Sequence, residues 1–140
     1  MNKSKALGSR GELLAAADLI DKGYNVFTEM GDNSPIDLIA VNPDDHSIVK
    51  LQVKTASVKD GKVIVYGSVT TRSYHRTYSK DDFDYFIVVV PERDIIMYIP
   101  IETIISTGKS PNLIIRIDEA KNNQTKKVNH YSDYLEFIAK

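Results

Sequence analysis

The sequence predicts an α/β protein in which a mixed β-sheet is flanked by helices, and three observations lead to that class. Apolar residues near the N-terminus recur with a helical period and predict an amphipathic helix. Short segments rich in Val, Ile and Tyr follow, separated by turn residues, and predict strands. One of them, Tyr85–Val90, is almost continuously apolar, as is typical of a strand buried on both faces of a sheet.

Composition indicates a single globular domain over residues 1–140. The hydrophobic content of 42%, with only five Pro and seven Gly, excludes a disordered chain. No apolar run approaches membrane-spanning length, the polar N-terminus is unlike a secretory signal, and the lack of cysteine excludes thiolate chemistry. We therefore expect a cytoplasmic protein. Because the net charge is only −1, a nucleic-acid site would depend on locally clustered charge.

The first element is predicted to be an amphipathic helix that ends near Gly23. Its apolar stripe is formed by Ala6, Leu13, Leu14, Ala17 and Ile20. Glu12 lies beside this stripe and could reach a neighbouring polar surface. The alternative is a capping box, in which Glu12 would bond back to the amide of Ser9, and on this helix alone the pattern favours the cap.

Residues 34–55 are predicted to form a β-hairpin that carries a metal site. An apolar run at residues 36–41 and an alternating segment at residues 48–56 are joined by turn residues at 42–45. Two strands with a tight connection follow from this pattern.

The second strand of this hairpin has a polar face. A period of two places Lys50, Gln52 and Lys54 on one side of the strand. Asp37 lies early in the first strand. Antiparallel pairing can bring its carboxylate beside Gln52 and Lys54, provided that the register turns it to the same face.

The remaining elements follow from the same patterns. Strands are predicted at residues 24–29, 63–66, 85–90, 95–99 and 113–117. A short helical or turn segment is expected at 100–105 and an exposed loop at 118–130. The helical spacing of Tyr131, Tyr134, Leu135 and Ile138 predicts a C-terminal helix that docks on the sheet.

Residues 70–80 lack periodicity and are predicted to form a basic, aromatic loop. The candidates for DNA contact in this loop are Arg72, Tyr74, His75, Arg76, Tyr78 and Lys80, and Arg10 on the first helix is another. Cationic side chains pair with phosphates, and flat rings stack on bases. The alternative is a solvated loop whose tyrosines pack on the core.

The order of a helical Glu12, a Pro-Ile-Asp that ends in Asp37, and a next-strand Gln52-Val53-Lys54 resembles the PD-(D/E)XK nuclease superfamily over residues 5–100. The pattern is most similar to small homing endonucleases encoded in group I introns, which also carry Gln-x-Lys. Archaeal Holliday junction resolvases are more distantly similar. The resemblance implies a restriction-endonuclease-like core of the αβββαβ type.

The chain departs from the superfamily pattern at two positions. Ile36 separates Pro35 from Asp37, which is a minor change because only the aspartate is needed for chemistry. Gln52 replaces the acidic residue that usually precedes x-Lys. That replacement removes one negative charge from the implied metal site and leaves the number of metal ions open.

The resemblance implies hydrolysis of double-stranded DNA with Mg²⁺ (or Mn²⁺). Such hydrolysis requires neutralising the developing charge and presenting a deprotonated water in line with the leaving oxygen. Asp37 and the amide oxygen of Gln52 would coordinate the cation, and Glu12 would hold a coordinated water or a second ion. Lys54 would orient the attacking water or stabilise the pentavalent phosphate. Without Asp37 and Glu12 nearby, the favoured interpretation of Lys54 and Lys50 would be a solvated strand face.

A homing endonuclease is the favoured function, with a Holliday junction resolvase or a repair nuclease as the nearest alternative. A catalytically inactive DNA-binding module is the alternative from another class. A homo-oligomer, either a dimer or a tetramer, is expected because one site cannot readily cut both strands of a duplex. Residues 95–105 with Tyr131 and Tyr134 are candidate interfaces, although core packing is the favoured interpretation of each.

Overall fold

The computed structural model describes residues 2–108, 111–119 and 129–137. The helices are α1 (Lys3–Asp21) and α2 (Ile101–Ile105), with 3₁₀ turns at Pro91–Arg93 and Tyr131–Tyr134. The strands are β1 (Asn25–Thr28), β2 (Leu38–Val41), β3 (Ile48–Thr55), β4 (Lys62–Tyr66), β5 (Ser68–Thr70), β6 (His75–Thr77), β7 (Tyr85–Val90), β8 (Ile95–Pro100) and β9 (Asn112–Arg116). The organisation as one domain over residues 1–140 stays a prediction.

A five-stranded sheet in the order β1-β2-β3-β7-β8 forms the centre of the fold. Strands β3 and β7 run parallel and the other neighbours run antiparallel, so the sheet is mixed as predicted. The predicted hairpin is β2–β3. Its register places Leu38 opposite Leu51, so both lie on the face that α1 covers.

The two faces of the sheet have different partners. On one face, Ala15 and Leu19 of α1 pack on Leu51 and Ile87. On the other face, Phe86 and its neighbours pack against the β4–β9 ribbon and α2. The continuously apolar β7 is thus buried on both sides, which explains its composition.

The apolar stripe predicted to be the buried face of α1 points the other way. Leu13 is 72% exposed and Ile20 is 60% exposed, whereas Gly11, Ala15 and Leu19 are buried. The helix approaches the sheet so closely that a Cβ atom at Gly11 would collide with the side chain of Thr55. The buried face of α1 therefore combines the small residues Gly11 and Ala15 with Leu19, and hydrophobic periodicity alone pointed to the opposite side.

The capping-box alternative for Glu12 is wrong. The helix begins at Lys3, and the side chain of Asn2 caps it by accepting a hydrogen bond from the amide of Lys5 at 2.8 Å. Ser9 and Glu12 lie inside the helix. The Glu12 carboxylate is consequently not used as a cap.

The segment predicted to be an aperiodic loop contains a β-hairpin formed by β5 and β6. The amide of Thr71 donates to the carbonyl of Tyr74 at 2.8 Å and closes its turn, and the amide of Tyr78 donates to the carbonyl of Gly67 at 2.9 Å at its base. Strands of three residues with mostly polar side chains give no alternation of character, so the sequence pattern did not reveal them.

The C-terminal segment forms a 3₁₀ turn rather than an α-helix over Tyr131–Tyr134, and Ile138 lies outside the described residues. The segment still docks on the sheet, because Phe137 stacks on Tyr98 with ring centroids 4.8 Å apart.

Ile95, Ile101 and Ile104 are buried within this chain, which confirms core packing over a subunit interface for residues 95–105. None of the described helices is long and apolar enough to cross a membrane.

Candidate active site

An open groove with a volume of about 1020 Å³ runs along one end of the sheet. One wall is the first half of α1 and the segment that precedes β2, and the other is the β5–β6 hairpin. All four residues predicted to be catalytic line it, namely Glu12, Asp37, Gln52 and Lys54. Residues far apart in the sequence therefore converge on one surface.

The pairing of β2 with β3 sets the position of Asp37. Its amide donates to the carbonyl of Leu51 at 2.9 Å, although the register already pairs Leu51 with Leu38. Two residues thus oppose one at this point, as in a β-bulge, and such irregularities re-aim side chains. The Oδ2 atom of Asp37 accepts a hydrogen bond from the amide of Val53 at 2.7 Å, which fixes the carboxylate at the groove.

The carboxyl groups of Glu12 and Asp37 perturb each other. Burial raises the pKa of Glu12, and the negative charge of Asp37 raises it further. Burial also raises the pKa of Asp37, against the opposing effects of the Val53 amide and the Lys54 charge. Two carboxyl groups held together in a partly buried groove favour a positive charge between them.

Gln52 is 7% exposed and is the only charged or amide-bearing side chain that is buried in the described part of the chain. Its Nε2 atom donates to the hydroxyl of Tyr78 at 3.3 Å. Its Oε1 atom is buried and has no hydrogen-bond partner among the described residues. Leaving a buried acceptor without a hydrogen-bond partner lowers the stability of the fold by about 1–3 kcal/mol. This cost favours a role for Oε1 in binding an electron-pair acceptor such as a cation.

Lys54 and Lys50 have different surroundings although they lie on the same face of β3. Lys54 is exposed and lines the groove. Lys50 does not line it, and its Nζ atom donates to the carbonyl of Asp81 at 3.2 Å. The solvated-face alternative does not describe Lys50, which is half-buried, whereas Lys54 is exposed at the groove.

The predicted DNA contacts fall into two groups. Tyr74, which is 53% exposed, and Arg76 line the groove, and Arg76 also forms an ion pair with Asp82. Arg72 is exposed in the hairpin turn, outside the groove lining. The other three candidates outside the groove lining are Arg10, His75 and Lys80.

The stacking role predicted for Tyr78 is wrong. Its side chain is 6% exposed and packs edge-on against Phe83 and Phe86, with centroid distances of 5.1 and 6.1 Å. A ring in that position has no free face for a base. Lys80 forms an ion pair with Glu102 at 3.2 Å, and His75 shares a hydrogen bond of 2.7 Å with Thr70.

The sequence pattern missed one acidic residue of the groove. Asp32, which was not among the predicted site residues, lines the groove and raises the pKa of both Glu12 and Asp37 through its charge. The loop that carries it is held by Glu29, whose carboxylate accepts from the amides of Asn33 and Ser34 at 3.0 and 3.2 Å. The run Gly-Asp-Asn-Ser is ordinary turn chemistry, so only the fold could place Asp32 here.

The donor atoms of the groove fit a hard divalent cation. Asp37 and Glu12 supply carboxylate oxygens and Gln52 supplies an unpartnered amide oxygen, which are the ligand types that Mg²⁺ prefers. No group of three or more His, Cys, Asp or Glu side chains in the described residues could hold a metal ion. A ligand set of three protein groups would therefore have to include a neutral donor, such as the Oε1 atom of Gln52.

Comparison with known proteins places the chain in a family. The sequence model of the PD-(D/E)XK endonucleases matches residues 2–137. The chain belongs to the PD-(D/E)XK endonuclease family. The resemblance drawn from Glu12, Asp37 and the Gln-x-Lys motif is confirmed at the level of the family, and the roles of those residues stay predictions.

Two solved nuclease structures resemble this PD-(D/E)XK chain. The bacterial homing endonuclease I-Ssp6803I has a TM-score of 0.73 and 24% identity, covering 95% of this chain and 88% of that chain. Hjc, a Holliday junction resolvase of Archaeoglobus fulgidus, has a TM-score of 0.48 and 17% identity, covering 76% of this chain and 82% of that chain. No functionally curated protein has a significantly similar sequence. The predicted restriction-endonuclease-like core, a mixed sheet flanked by helices, is confirmed.

Proposed function

We propose that this nuclease is a Mg²⁺-dependent (or Mn²⁺-dependent) endonuclease that hydrolyses phosphodiester bonds in double-stranded DNA. The observation that carries the proposal is the convergence of Glu12, Asp37, Gln52 and Lys54 in one open groove. The opposite wall of the groove carries the cationic side chain of Arg76, which is ion-paired with Asp82, and the aromatic side chain of Tyr74. Acidic, cationic and aromatic groups are thus present where a phosphodiester backbone could lie.

Asp37, Gln52 and Glu12 are the residues that would hold the cation. When bound, Mg²⁺ supplies charge neutralisation at the phosphate and lowers the pKa of water. The Val53 amide holds one oxygen of Asp37 and so fixes the carboxylate at the groove. The ammonium group of Lys54 stabilises the negative charge that develops on the phosphate oxygens.

We further propose that the chain acts as a homing endonuclease. Support comes from the Gln-x-Lys motif on β3 and from the fold shared with a bacterial homing endonuclease. A Holliday junction resolvase or a repair nuclease would use the same groove. A panel of linear duplex, four-way junction and mismatched DNA separates these functions, and a gene interrupted at the cleavage site would decide for homing.

A catalytically inactive DNA-binding module is the alternative from another class. Such a module would keep the fold but would have lost its metal site. Gln52, in place of the usual acidic residue, would be the evidence of that loss. The presence of Asp37, Glu12 and Lys54 around that glutamine favours an enzyme. Turnover that requires a divalent cation, measured on plasmid DNA with and without a chelator, separates the two.

The working form is proposed to be a homo-oligomer, a dimer or a tetramer. Each chain supplies one groove with one set of Glu12, Asp37, Gln52 and Lys54. A twofold axis that matches the symmetry of the duplex presents a second groove to the other strand. Pairing would also lengthen the DNA footprint of a small protein with a net charge of −1.

A further inference from the structure

A second cavity, with a volume of about 550 Å³, opens beside the groove, and we call it the side cavity. Its walls are the end of β3 with the two residues that follow, β4 and β5. Four residues line both the side cavity and the groove, namely Lys54, Thr55, Ser57 and Val69. The two spaces are therefore continuous, and Lys54 lies where they meet.

Backbone contacts hold the walls of the side cavity in place. The amide of Ala56 donates to the carbonyl of Val89 at 2.9 Å, so the segment after β3 stays attached to the sheet. At Gly67 the chain passes from the β4–β9 ribbon to the β5–β6 hairpin. A Cβ atom there would lie 2.7 Å from the side chain of Ile104, so this bend packs directly on α2. The side cavity is thus a built feature of the fold.

One wall of the side cavity offers flat and apolar surface. Ile64 and Tyr66 lie on the outward face of β4 and are 42% and 58% exposed, whereas Val63 and Val65 on the other face are buried. Both outward side chains line the cavity. An exposed aromatic ring beside an aliphatic side chain matches the face of a nucleobase, which stacks on such rings in single-stranded nucleic acids.

The side cavity also offers hydroxyl groups, from Thr55, Ser57, Ser68 and Thr70. The two threonine hydroxyls already have partners within the chain, the carbonyl of Leu7 and the ring of His75. Those of Ser57 and Ser68 have no hydrogen-bond partner among the described residues. A hydroxyl group both donates and accepts, so these two suit the edge of a nucleobase, which carries donors and acceptors.

We propose that the side cavity binds one unstacked nucleobase of the DNA strand whose phosphate lies at Lys54, an inference that rests on the proposed nuclease function. A base inside a duplex shows only its edges in the grooves. Only a base that has left the stack can therefore place its face on Tyr66 and its edge beside Ser57 and Ser68. The nucleoside next to a phosphate at Lys54 starts from the boundary of the two spaces, so its base has direct access to the side cavity.

This site makes binding depend on how easily a base leaves its stack. Extruding a paired base costs free energy, and the cost is least for a base that is already unpaired. DNA with one unpaired nucleotide should therefore bind more tightly than fully paired DNA. The preference holds whether the natural substrate is a duplex, a junction or mismatched DNA, because it depends only on the side cavity.

The first test is nuclear magnetic resonance of the isotope-labelled full chain in excess chelator, titrated with a short single-stranded oligothymidine. The amide signals of Ser57, Tyr66 and Ser68 should shift. Nuclear Overhauser effects should also connect base protons with the ring of Tyr66. Shifts confined to the groove at Asp37 and Arg76, or no binding, would overturn the proposal. The wild-type protein suffices, so the outcome does not depend on the folding of a variant.

A ring substitution tests the stacking contact, with DNA affinity measured in chelator by fluorescence anisotropy. The wild type should prefer a duplex with one unpaired thymidine over the fully paired duplex by about tenfold, and Tyr66→Ala should lose this preference. Tyr66→Phe keeps the ring and should keep the preference. Ile114→Ala is the matched control, because Ile114 is opposite Ile64 on the same ribbon and is 46% exposed but does not line the cavity.

Circular dichroism checks that each variant is folded. A wild type without the preference, or a folded Tyr66→Ala that retains it, would overturn the proposal. Because no cleavage occurs in chelator, the two proposals fail separately. A protein that binds the base in the side cavity but cuts no DNA with Mg²⁺ would contradict the proposed function alone.

Discussion

The two walls of the groove are built differently. The acidic wall combines Glu12 on the long helix α1 with Asp37 immediately before β2, and the pKa values of both carboxyl groups are raised. The opposite wall is a short hairpin whose side chains, including Tyr74 and Arg76, are exposed. The acidic wall therefore provides fixed positions for chemistry, and the hairpin wall provides charge and ring surface for binding.

This difference predicts separate effects on turnover and on binding. Groups on the acidic wall act mainly in the transition state, so their loss should lower kcat with little change in DNA affinity. Groups on the hairpin contact the ground state as well. Their loss should weaken DNA affinity and leave the metal requirement unchanged.

After the loss of Asp37, the largest effect is expected from Lys54→Ala. Removing the ammonium group from the groove should lower single-turnover cleavage by about 10² to 10³-fold, because the charge that develops on the phosphate loses its stabilising partner. Lys50→Ala is the matched control, since Lys50 lies on the same strand face but outside the groove lining. Equal rates for the two variants would contradict the role of Lys54.

Glu12→Gln should lower turnover about 10- to 100-fold while the chelator-treated protein becomes more stable at pH 7. Folding raises the pKa of Glu12, so the folded state binds more protons and loses stability as pH rises above the ordinary glutamate pKa. Glutamine removes that loss. Melting temperatures between pH 3 and pH 8 should show the stability gain at neutral pH and none at acidic pH. A lower melting temperature at pH 7 would count against the carboxyl pair.

Gln52→Glu should tighten Mn²⁺ binding about tenfold, because a charged oxygen replaces the neutral Oε1 atom. The Tyr78 hydroxyl can donate to the new carboxylate, so the fold should be kept. Without metal, the added charge beside Asp37 should lower the melting temperature. Isothermal titration with Mn²⁺ measures the change, and an unaltered titration would show that Gln52 is not a ligand.

The smallest effects are expected on the hairpin. Arg72→Ala and Arg76→Ala should each weaken DNA binding several-fold and reduce the slope of log K against log salt by about 0.9 for one lost phosphate contact. Arg93→Ala is the control, because Arg93 pairs with Asp118 outside the groove lining. Unchanged slopes for both hairpin variants would remove the hairpin from the DNA interface.

The sequence was most informative where local patterns and the fold agree. The strand pattern and the turn between β2 and β3 were enough to predict the hairpin, and three residues singled out on it, Asp37, Gln52 and Lys54, line the groove. The position of the Asp37 side chain depends on how β2 pairs with β3. Local sequence does not fix that pairing.

Long-range packing decided the features that sequence patterns could not predict. The face of α1 was misassigned because Gly11 and Ala15 are buried by close approach to the sheet, while Leu13 and Ile20 are exposed. Tyr78 looked like a surface ring because its neighbours are polar. In the fold it is an edge-on partner of Phe83, which lies five residues further along the chain.

The most direct test of the central claim compares wild-type protein with Asp37→Ala on duplex DNA, in Mg²⁺ and in excess chelator. We predict that the wild type cleaves only with Mg²⁺, and that Asp37→Ala binds the duplex with near-normal affinity but shows no cleavage under either condition. Asp37 would then be required for chemistry rather than for recognition. Cleavage by the wild type in excess chelator, or by Asp37→Ala in Mg²⁺ at the wild-type rate, would contradict a metal-dependent active site in this groove.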